Sequence, residues 1–451
     1  MHFLTLKDKI GIFSPFFMYI PGMERLILKA LEKWKNSESR KPLILDGARQ
    51  VGKTWVLQEF GKRQFRACAY FNCDGNDRLK EIFSGGFSKE RVVRDLGLVS
   101  GISLGTDTLV ILDEIQEIPE ALTSLKYFCE TARELPVAAA GSLLGLSAHS
   151  GSGFPVGKVD VLKMHPMSFS EFVWAQKGET AFKMLTEDLF ENFPTLHTTF
   201  KELLRQYYFT GGMPEAVAAF ILGKAPEEIR TIQNAILYSY NKDISKHAAP
   251  KDLTRIHQVW GSVPQQLAKE NKKFIYGAIR NGARAKEFET AIQWLIDAGL
   301  VHKVNRVRKA ELPLKFYEDF DAFKLFLLDC GLLGAMTDTP AEKIFVGENI
   351  FEEYKGAFTE QYVLQQLLTS SESKPFYYSA EDSKQELDFL LQRGEQIVPI
   401  EVKAEENLRA KSLRQFVLDH EGTHGIRLSM SPYREQDWMT NIPLYLAERV
   451  G

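Results

Sequence analysis

The chain has 451 residues, of which 44% are hydrophobic and 25% are charged, and its formal net charge is −3. This length predicts two to four domains, and the composition is that of an ordinary globular protein. The small net charge excludes a global attraction to nucleic acid, so any such binding needs a local basic patch. Four irregularly spaced cysteines argue against a zinc site and favour reduced thiols in a cytoplasmic protein.

The first 22 residues have the character of neither a signal peptide nor a membrane span. The stretch "GIFSPFFMYIPGM" (11–23) holds two prolines, lacks a small-residue cleavage site and is shorter than the roughly 20 residues that a span requires. Met23 then begins an amphipathic helix. We therefore expect residues 1–22 to be a disordered leader or the product of an over-extended gene start, and the protein to be soluble, with no membrane segment.

A phosphate-binding loop is predicted early in the chain. "KPLILDGARQVGKTWVLQEFGK" (41–62) reads as an apolar strand, a glycine-rich loop that fits G-x-x-x-x-G-K-[ST], and a helix. Backbone N–H groups and the helix N-terminus attract phosphate; Lys53 is expected to reach the β- and γ-phosphates and Thr54 to ligate Mg²⁺. The residues expected to contact the nucleotide are Gly47, Ala48, Arg49, Gln50, Val51, Gly52, Lys53, Thr54 and Trp55.

Two further strands are expected to contribute to the same site. "DTLVILDEIQEIPEAL" (107–122) is an apolar strand that ends in an acidic pair, which points into the crevice of a parallel sheet. Asp113 is then a magnesium residue and Glu114 the base that orients and deprotonates water, although such a pair can also cap a helix. A third strand, in the stretch "PVAAAGSLLGL" (136–146), ends at Ser142, which either senses the γ-phosphate or simply makes a turn with Gly141.

Four stretches together resemble the prokaryotic AAA-type ATPases that carry a second domain at the C-terminus: "LILDGARQVGKTW", "LVILDEIQEIPE", "AAAGSLLG" and "FPVGKVDVLKMHPMSFSEF". The resemblance implies an α/β P-loop NTPase core over 23–167, ATP as the ligand, and a homo-oligomer with sites between subunits. Relatives often carry arginine near the position of Lys158, and lysine is less suited to bidentate phosphate contact. The arginine finger is therefore unassigned, with Arg133 as another candidate.

Residues 168–250 read as helices broken at "GGMP", and they resemble the helical lid that follows an AAA core. The following module, 251–310, is basic: twelve Lys or Arg face five Asp or Glu within 251–309. Its short helices and basic strand pair resemble a winged helix-turn-helix, so part of it could contact DNA phosphates; alternatively it is a solvated face or packs on an acidic domain. The candidate DNA contacts are Lys272, Lys273, Arg280, Arg284 and Lys286.

Residues 311–451 are predicted to form an α/β domain with a helix–strand–strand–strand–helix order. This order, with Glu360 on the helix, Asp388 on a strand, and Glu401 and Lys403 on the next, resembles the restriction-endonuclease-like fold and its PD-(D/E)xK site. Side chains alternate along a strand, so Glu401 and Lys403 share a face. The resemblance implies Mg²⁺ between Asp388 and Glu401 with support from Glu360, and Lys403 as the group that positions water. Ordinary surface charges on a hairpin are the alternative.

Two functional readings remain open. In the first, the nucleotide state of an ATPase controls a DNA-directed, nuclease-like C-terminal domain. In the second, the protein is a regulatory ATPase switch that binds protein partners, and the C-terminal domain is an inactive docking module. Kinase chemistry on a small substrate is disfavoured by the long extensions after the ATPase core.

Overall fold

The computed structural model describes most of the chain, and the predicted leader, residues 1–22, lies outside the described part. The described residues are 23–142, 154–187, 196–269, 272–341, 352–371, 373–380, 385–404 and 410–451.

The N-terminal third forms a parallel five-stranded sheet with strands β1 (Leu43–Asp46), β2 (Ala67–Asn72), β3 (Thr108–Asp113), β4 (Val137–Gly141) and β5 (Asp160–Lys163). They lie in the order β2-β3-β4-β1-β5. The inner strands β1, β3 and β4 are mostly apolar because helices cover both faces of the sheet, and alternate residues of one strand enter two different cores, as Leu45 and Ile44 do. The helices are α1 (Ile27–Lys35), α2 (Lys53–Gln64), α3 (Asp77–Ser84), α4 (Lys89–Ser100) and α5 (Pro119–Thr131).

The helical segment that follows begins and breaks where its sequence predicts. Ser168 and Glu171 form a capping box, and Pro214 and Pro226 each occupy the first turn of a helix. The chain leaves a helix at Gly211, whose φ of 69° suits glycine. The helices are α6 (Phe169–Lys177), α7 (Glu179–Glu187), α8 (His197–Thr210), α9 (Pro214–Ile221) and α10 (Pro226–His247).

The basic module does not end at a domain boundary. Its helices are α11 (Leu253–Leu267) and α12 (Ala285–Asp297), and its strand β6 (Val301–Val307) pairs with β7 (Glu318–Leu327) beyond the boundary predicted at 310. The predicted basic strand pair is therefore part of the C-terminal sheet. Hydrogen bonds between β6 and β7 join residues on both sides of the domain boundary that the sequence suggests at 310.

The C-terminal sheet has eight strands, of which β6 and β7 are given above. The others are β8 (Phe376–Ser379), β9 (Glu386–Arg393), β10 (Gln396–Val402), β11 (Gly425–Ser429), β12 (Arg434–Glu435) and β13 (Met439–Pro443), and the order across the sheet is β12-β13-β11-β10-β9-β8-β6-β7. The predicted helix–strand–strand–strand–helix order is confirmed, and Gly394, at a φ of 55°, turns the antiparallel hairpin between β9 and β10. The remaining helices are α13 (Cys330–Met336), α14 (Glu352–Ser370) and α15 (Lys411–Asp419).

One connected set of buried apolar side chains extends from Leu28 in α1 to Val450 near the C-terminus, and it includes residues of both sheets. The N-terminal part and the C-terminal sheet therefore share a core. Within the described ranges, no helix is both long and apolar enough to cross a membrane.

Candidate functional site

The loop between β1 and α2 has the backbone shape that the glycine pattern predicts. Gly52 has a φ of 97°, and Gln50 also lies in the left-handed region at 66°. A Cβ on Gly47 would lie 2.3 Å from the carbonyl oxygen of Met164, so a larger residue cannot approach that closely. Helix α2 begins at Lys53, directly after the loop, and presents its N-terminal N–H groups to the enclosed space.

The Lys53 ammonium is buried inside this loop. Its Nζ donates to the carbonyl oxygens of Gly47 at 2.7 Å and Ala48 at 2.8 Å. Burial lowers the pKa of Lys53 to about 8, although Glu114 and Asp113 oppose the shift. Neutral carbonyls are weaker partners for an ammonium than phosphate oxygens are, so the group is ready to bind an anion.

Asp113 ends β3 beside Thr54, as the sequence predicts. Thr54 Oγ1 donates to Asp113 Oδ2 at 2.7 Å, and the Tyr70 hydroxyl donates to the same oxygen at 2.9 Å. Burial raises the pKa of Asp113, against the effect of these two hydrogen bonds. Tyr70 was not predicted; it lies on β2, adjacent to β3, and only the strand order brings it to the site.

Glu114 lies next to Asp113 with a left-handed backbone, at a φ of 49°. Its Oε2 accepts hydrogen bonds from Gln116 Nε2 at 2.6 Å and from Ser142 Oγ at 3.2 Å. Ser142 therefore reaches the site, but its hydroxyl contacts the predicted base. Gln116 is a second residue that the sequence patterns did not identify.

Side chains from distant elements hold the phosphate loop in place. Arg25 donates to the Val51 carbonyl at 2.9 Å and forms a buried ion pair with Glu171 at 3.1 Å. Arg49 pairs with Asp243 of α10 at 2.5 Å. No motif marks Arg25 or Asp243, because their roles depend on partners far away in the chain.

A mostly apolar cavity of about 760 Å³ opens beside the loop, between the N-terminal part of the chain and helices α9 and α10. Gln50, Gly52 and Trp55 contribute to it from the loop side. The other lining residues are Met23, Arg25, Pro214, Glu215, Ala218, Ala219, Leu222, Lys224, Glu228, Thr231 and Ile232.

The residues of this site fit a magnesium nucleotide. The loop supplies N–H donors and the buried Lys53 ammonium, Thr54 and Asp113 supply adjacent oxygens, and the apolar cavity lies at the loop. One or two protein oxygens together with phosphate oxygens are how proteins usually bind Mg²⁺ with nucleotides.

The two arginine-finger candidates have local partners. Lys158 forms an exposed ion pair with Glu130 at 2.9 Å. Arg133 donates to the carbonyl oxygens of Arg40 at 2.7 Å and Ser39 at 2.5 Å. Both side chains thus contact their own subunit on the surface.

The four predicted residues of the C-terminal site lie on neighbouring elements. Glu360 is on α14, Asp388 on β9, Glu401 on β10 and Lys403 directly after it. Asp388 Oδ2 accepts from the Val402 N–H at 2.8 Å, and Lys403 Nζ pairs with Glu401 Oε1 at 2.8 Å. The expectation that Glu401 and Lys403 share a strand face is confirmed by this ion pair.

Two further lysines enter the same acidic site. Lys272, from the basic module, forms an ion pair with Glu360, and the buried Lys324 of β7 lies 2.8 Å from Glu386 and 3.7 Å from Glu360. Burial opposes ionisation of Glu360, but Lys272 and Lys324 outweigh it and lower the pKa of that carboxyl. Burial, together with the charge of Glu360, raises the pKa of Asp388.

The predicted magnesium set of Glu360, Asp388 and Glu401 is not found as a ligand group. Across the parts of the chain that the structure describes, no three His, Cys, Asp or Glu side chains are arranged to hold a metal ion. Ammonium groups of Lys272, Lys324 and Lys403 lie against these carboxylates instead. In this arrangement the residues do not fit a bound metal.

One of the predicted DNA contacts points the wrong way for that role. The Lys272 side chain is 14% exposed and forms an ion pair with Glu360. Arg280 is exposed but pairs with Glu287 at 2.7 Å. The basic count of this segment therefore overstates the positive charge that is available to a ligand.

Comparisons with known proteins assign the first part of the chain. Residues 39–173 match the AAA domain family, while 201–343 and 355–446 match two domains of unknown function (DUF8612 and DUF4143). No curated protein matches the chain.

Several solved structures are distantly similar. Orc1 of Aeropyrum pernix, solved in complex with DNA, is 15% identical, with 71% of this chain and 91% of that chain covered and a TM-score of 0.28. Cdc6p of Pyrobaculum aerophilum is 14% identical, with 72% and 95% covered and a TM-score of 0.27. The S. cerevisiae Hsp104–ADP complex is 12% identical, with 60% and 37% covered and a TM-score of 0.26.

At these TM-scores we draw no conclusion from the structural likeness. The family match and the geometry of the loop agree with each other: residues 39–173 match the AAA domain family and contain the phosphate-binding loop between β1 and α2.

Proposed function

We propose that the chain binds ATP with Mg²⁺ at the phosphate loop and hydrolyses it. The observation that carries this proposal is the convergence of Lys53, Thr54, Asp113 and Glu114 at the carboxyl ends of β1 and β3. Both strands neighbour β4, and parallel strands end at the same edge of a sheet. Two separately predicted motifs, the phosphate loop and the acidic pair, therefore support one site.

Each residue has a distinct role in the proposed reaction. Lys53 moves from the loop carbonyls to the β- and γ-phosphates, and Thr54 and Asp113 would hold the metal. Bound Mg²⁺ supplies neutralisation of the phosphate charge. Glu114 orients the attacking water and accepts its proton. For this, the hydrogen bonds that Gln116 and Ser142 donate to the Glu114 carboxylate have to weaken.

The apolar cavity provides a place for the base of the nucleotide. It adjoins the loop at Gly52, and its walls come from Trp55 and from Pro214 at the start of α9. A flat aromatic base gains free energy by leaving water for such a surface. The cavity thus supports binding of a nucleoside triphosphate over binding of free phosphate.

A fluorescent ATP analogue titrated into the purified chain with Mg²⁺ tests this proposal. We expect Lys53→Ala to weaken binding roughly tenfold or more, since a charge-assisted contact to phosphate is lost. Lys62→Ala is the matched control, because Lys62 lies on the same helix with its side chain 62% exposed. Equal affinity of wild type and Lys53→Ala would refute the proposed site.

A second candidate function is DNA-directed nuclease-like activity under the control of the nucleotide. It is favoured by the meeting of Glu360, Asp388, Glu401 and Lys403 at one end of the C-terminal sheet. The proposal includes a restriction-endonuclease-like character for 311–451 and a winged-helix-like role for 251–310, through which DNA would be held.

DNA cutting separates this function from a protein-binding switch. Linear and supercoiled DNA are incubated with Mg²⁺, with and without ATP, beside the double variant Asp388→Ala/Lys403→Ala. Cutting by the wild type that the double variant loses supports the nuclease-like function. No cutting under any nucleotide, with ATP hydrolysis intact, would favour the regulatory switch whose C-terminal domain only docks partners.

A further inference from the structure

Lys272 connects the basic module to the acidic site of the C-terminal sheet. Its ammonium pairs with Glu360 on α14, and both side chains are largely buried, at 14% and 4% exposure. A surface lysine would instead extend into water, where its charge is solvated without loss. The contact therefore places a cation from one segment inside the carboxylate cluster of another.

The structure around this contact accommodates the lysine. Gly356 lies one helical turn before Glu360, and a Cβ at that position would lie 3.4 Å from Lys272 Nζ. The ammonium therefore lies directly against this face of α14, at a distance where a methyl group on residue 356 would make ordinary van der Waals contact. Lys272 itself has a φ of 49°, a conformation that lysine adopts rarely.

The carboxylates retain capacity for a further cation. Glu360 Oε2 and Glu401 Oε2 are buried and accept no hydrogen bond within the described part of the chain. Buried carboxylate oxygens are normally paired, because leaving them unpaired after removal from water is costly. Lys324 Nζ lies 3.7 Å from Glu360 Oε2, beyond hydrogen-bond distance, and Lys403 pairs with the other oxygen of Glu401. A cation that entered the cluster would therefore find two oxygens without a hydrogen bond, provided that the positive charge of Lys272 were withdrawn.

We propose that Lys272 is a built-in competitor that keeps a divalent cation out of the acidic site formed by Glu360, Asp388 and Glu401. Withdrawal of the lysine would leave the carboxylates with excess negative charge, which hard cations such as Mg²⁺ and Mn²⁺ bind through oxygen. The proposal rests on the second proposed function in taking this cluster as a cation site.

Binding of Mn²⁺ to the full chain without nucleotide tests the proposal by calorimetry. We expect Lys272→Met to gain one site with affinity roughly tenfold or more above that of the wild type, because a neighbouring like charge is removed. Lys272→Gln is the second variant: it keeps a hydrogen-bond donor for Glu360 and so preserves folding if the methionine does not. Lys273→Met, at the adjacent exposed lysine, is the matched control.

A triple variant, Lys272→Gln/Asp388→Asn/Glu401→Gln, locates the gained site, which should disappear. Unchanged Mn²⁺ affinity in folded Lys272→Gln overturns the proposal, as does an equal gain in Lys273→Met.

The DNA assay keeps the two proposals apart. Tight Mn²⁺ binding by Lys272→Gln without any DNA cutting refutes the nuclease-like function and leaves the competitor role standing. Cutting by the wild type, with Mn²⁺ affinity that Lys272→Gln does not improve, supports the nuclease-like function and overturns the competitor role.

Discussion

At the residue scale, burial makes the Lys53 ammonium group lose its proton more easily while no nucleotide is bound. Its partners are the neutral carbonyls of Gly47 and Ala48, and removal from water lowers its pKa to about 8. A phosphate group reverses this effect because it favours the charged form. Nucleotide binding should therefore change the protonation of this one side chain.

The first prediction concerns that proton. Since the pKa of Lys53 is about 8 in the free protein and rises on contact with phosphate, ATP binding at pH 8 should take up about half a proton per site. Affinity should correspondingly fall as the pH rises above 8, where the free protein has lost the charge. Calorimetry in two buffers of different ionisation enthalpy measures the uptake.

Lys53→Arg is the control for this measurement. Arginine keeps its proton throughout this pH range, so the uptake should vanish even where some binding remains. Equal proton uptake by wild type and Lys53→Arg would show that another group is responsible.

At the element scale, the break between α8 and α9 shows how a short motif fixes a close contact. Gly212 accepts from the Met167 N–H through its carbonyl at 2.7 Å, and a Cβ on Gly212 would lie 2.0 Å from the Met167 carbonyl oxygen. Pro214 then starts the next helix. The "GGMP" motif thus joins the lid helices to the segment that follows β5.

The second prediction is that Gly212→Ala lowers the free energy of unfolding by about 2–4 kcal/mol, because two backbone segments must separate to admit a methyl group. Gly261→Ala, inside α11, is the control: nothing lies within 4 Å of its Cβ position, and alanine favours the helix. Urea denaturation compares the two variants. If Gly212→Ala is as stable as Gly261→Ala, the contact between Gly212 and Met167 relaxes easily and the prediction is wrong.

The sequence predicts the local parts of both sites better than their long-range parts. The phosphate loop is predicted well because Gly52, Lys53 and Thr54 are adjacent in the chain and their chemistry depends on that spacing. Tyr70 and Arg25 escape prediction because strand order and tertiary packing bring them to the loop.

The C-terminal site shows the same limit more severely. The hairpin predicts correctly that Glu401 and Lys403 share a face, since alternation is a local property. The inward direction of Lys272 depends instead on packing against a helix some 88 positions away in the chain. The sequence therefore suggests that Lys272 belongs to a basic surface, whereas in the structure its charge neutralises part of an acidic cluster.

At the scale of the whole molecule, one carboxylate links the lid to the C-terminal sheet. Asp329 Oδ2 accepts from the Gly212 N–H at 2.6 Å and from Gln365 Nε2 at 3.1 Å, and Oδ1 caps α13 through the Leu332 N–H at 3.0 Å. Gln365 lies on α14, the helix that carries Glu360. If nucleotide binding shifts the segment that contains Gly212, these hydrogen bonds provide a direct physical route to the acidic site.

The third prediction is that ATP binding changes hydrogen exchange in α14 (Glu352–Ser370) of the wild type and that Asp329→Ala abolishes this change. The variant removes the shared acceptor and leaves the ATP site untouched, so nucleotide affinity should be retained. Asp321→Ala, at an exposed aspartate of β7, should behave as the wild type. A full response in Asp329→Ala would contradict the role of this link.

The steady-state rate of ATP hydrolysis by the wild type and by Glu114→Gln tests the central claim most directly. We predict hydrolysis by the wild type and a roughly 10²–10⁴-fold lower kcat in Glu114→Gln, with ATP binding retained, because the amide cannot accept the proton of water. Glu120→Gln, at the start of α5, is the matched control and should leave the rate unchanged, because it alters an acidic side chain outside the site. No hydrolysis by the wild type, or an undiminished rate in Glu114→Gln, would contradict the account.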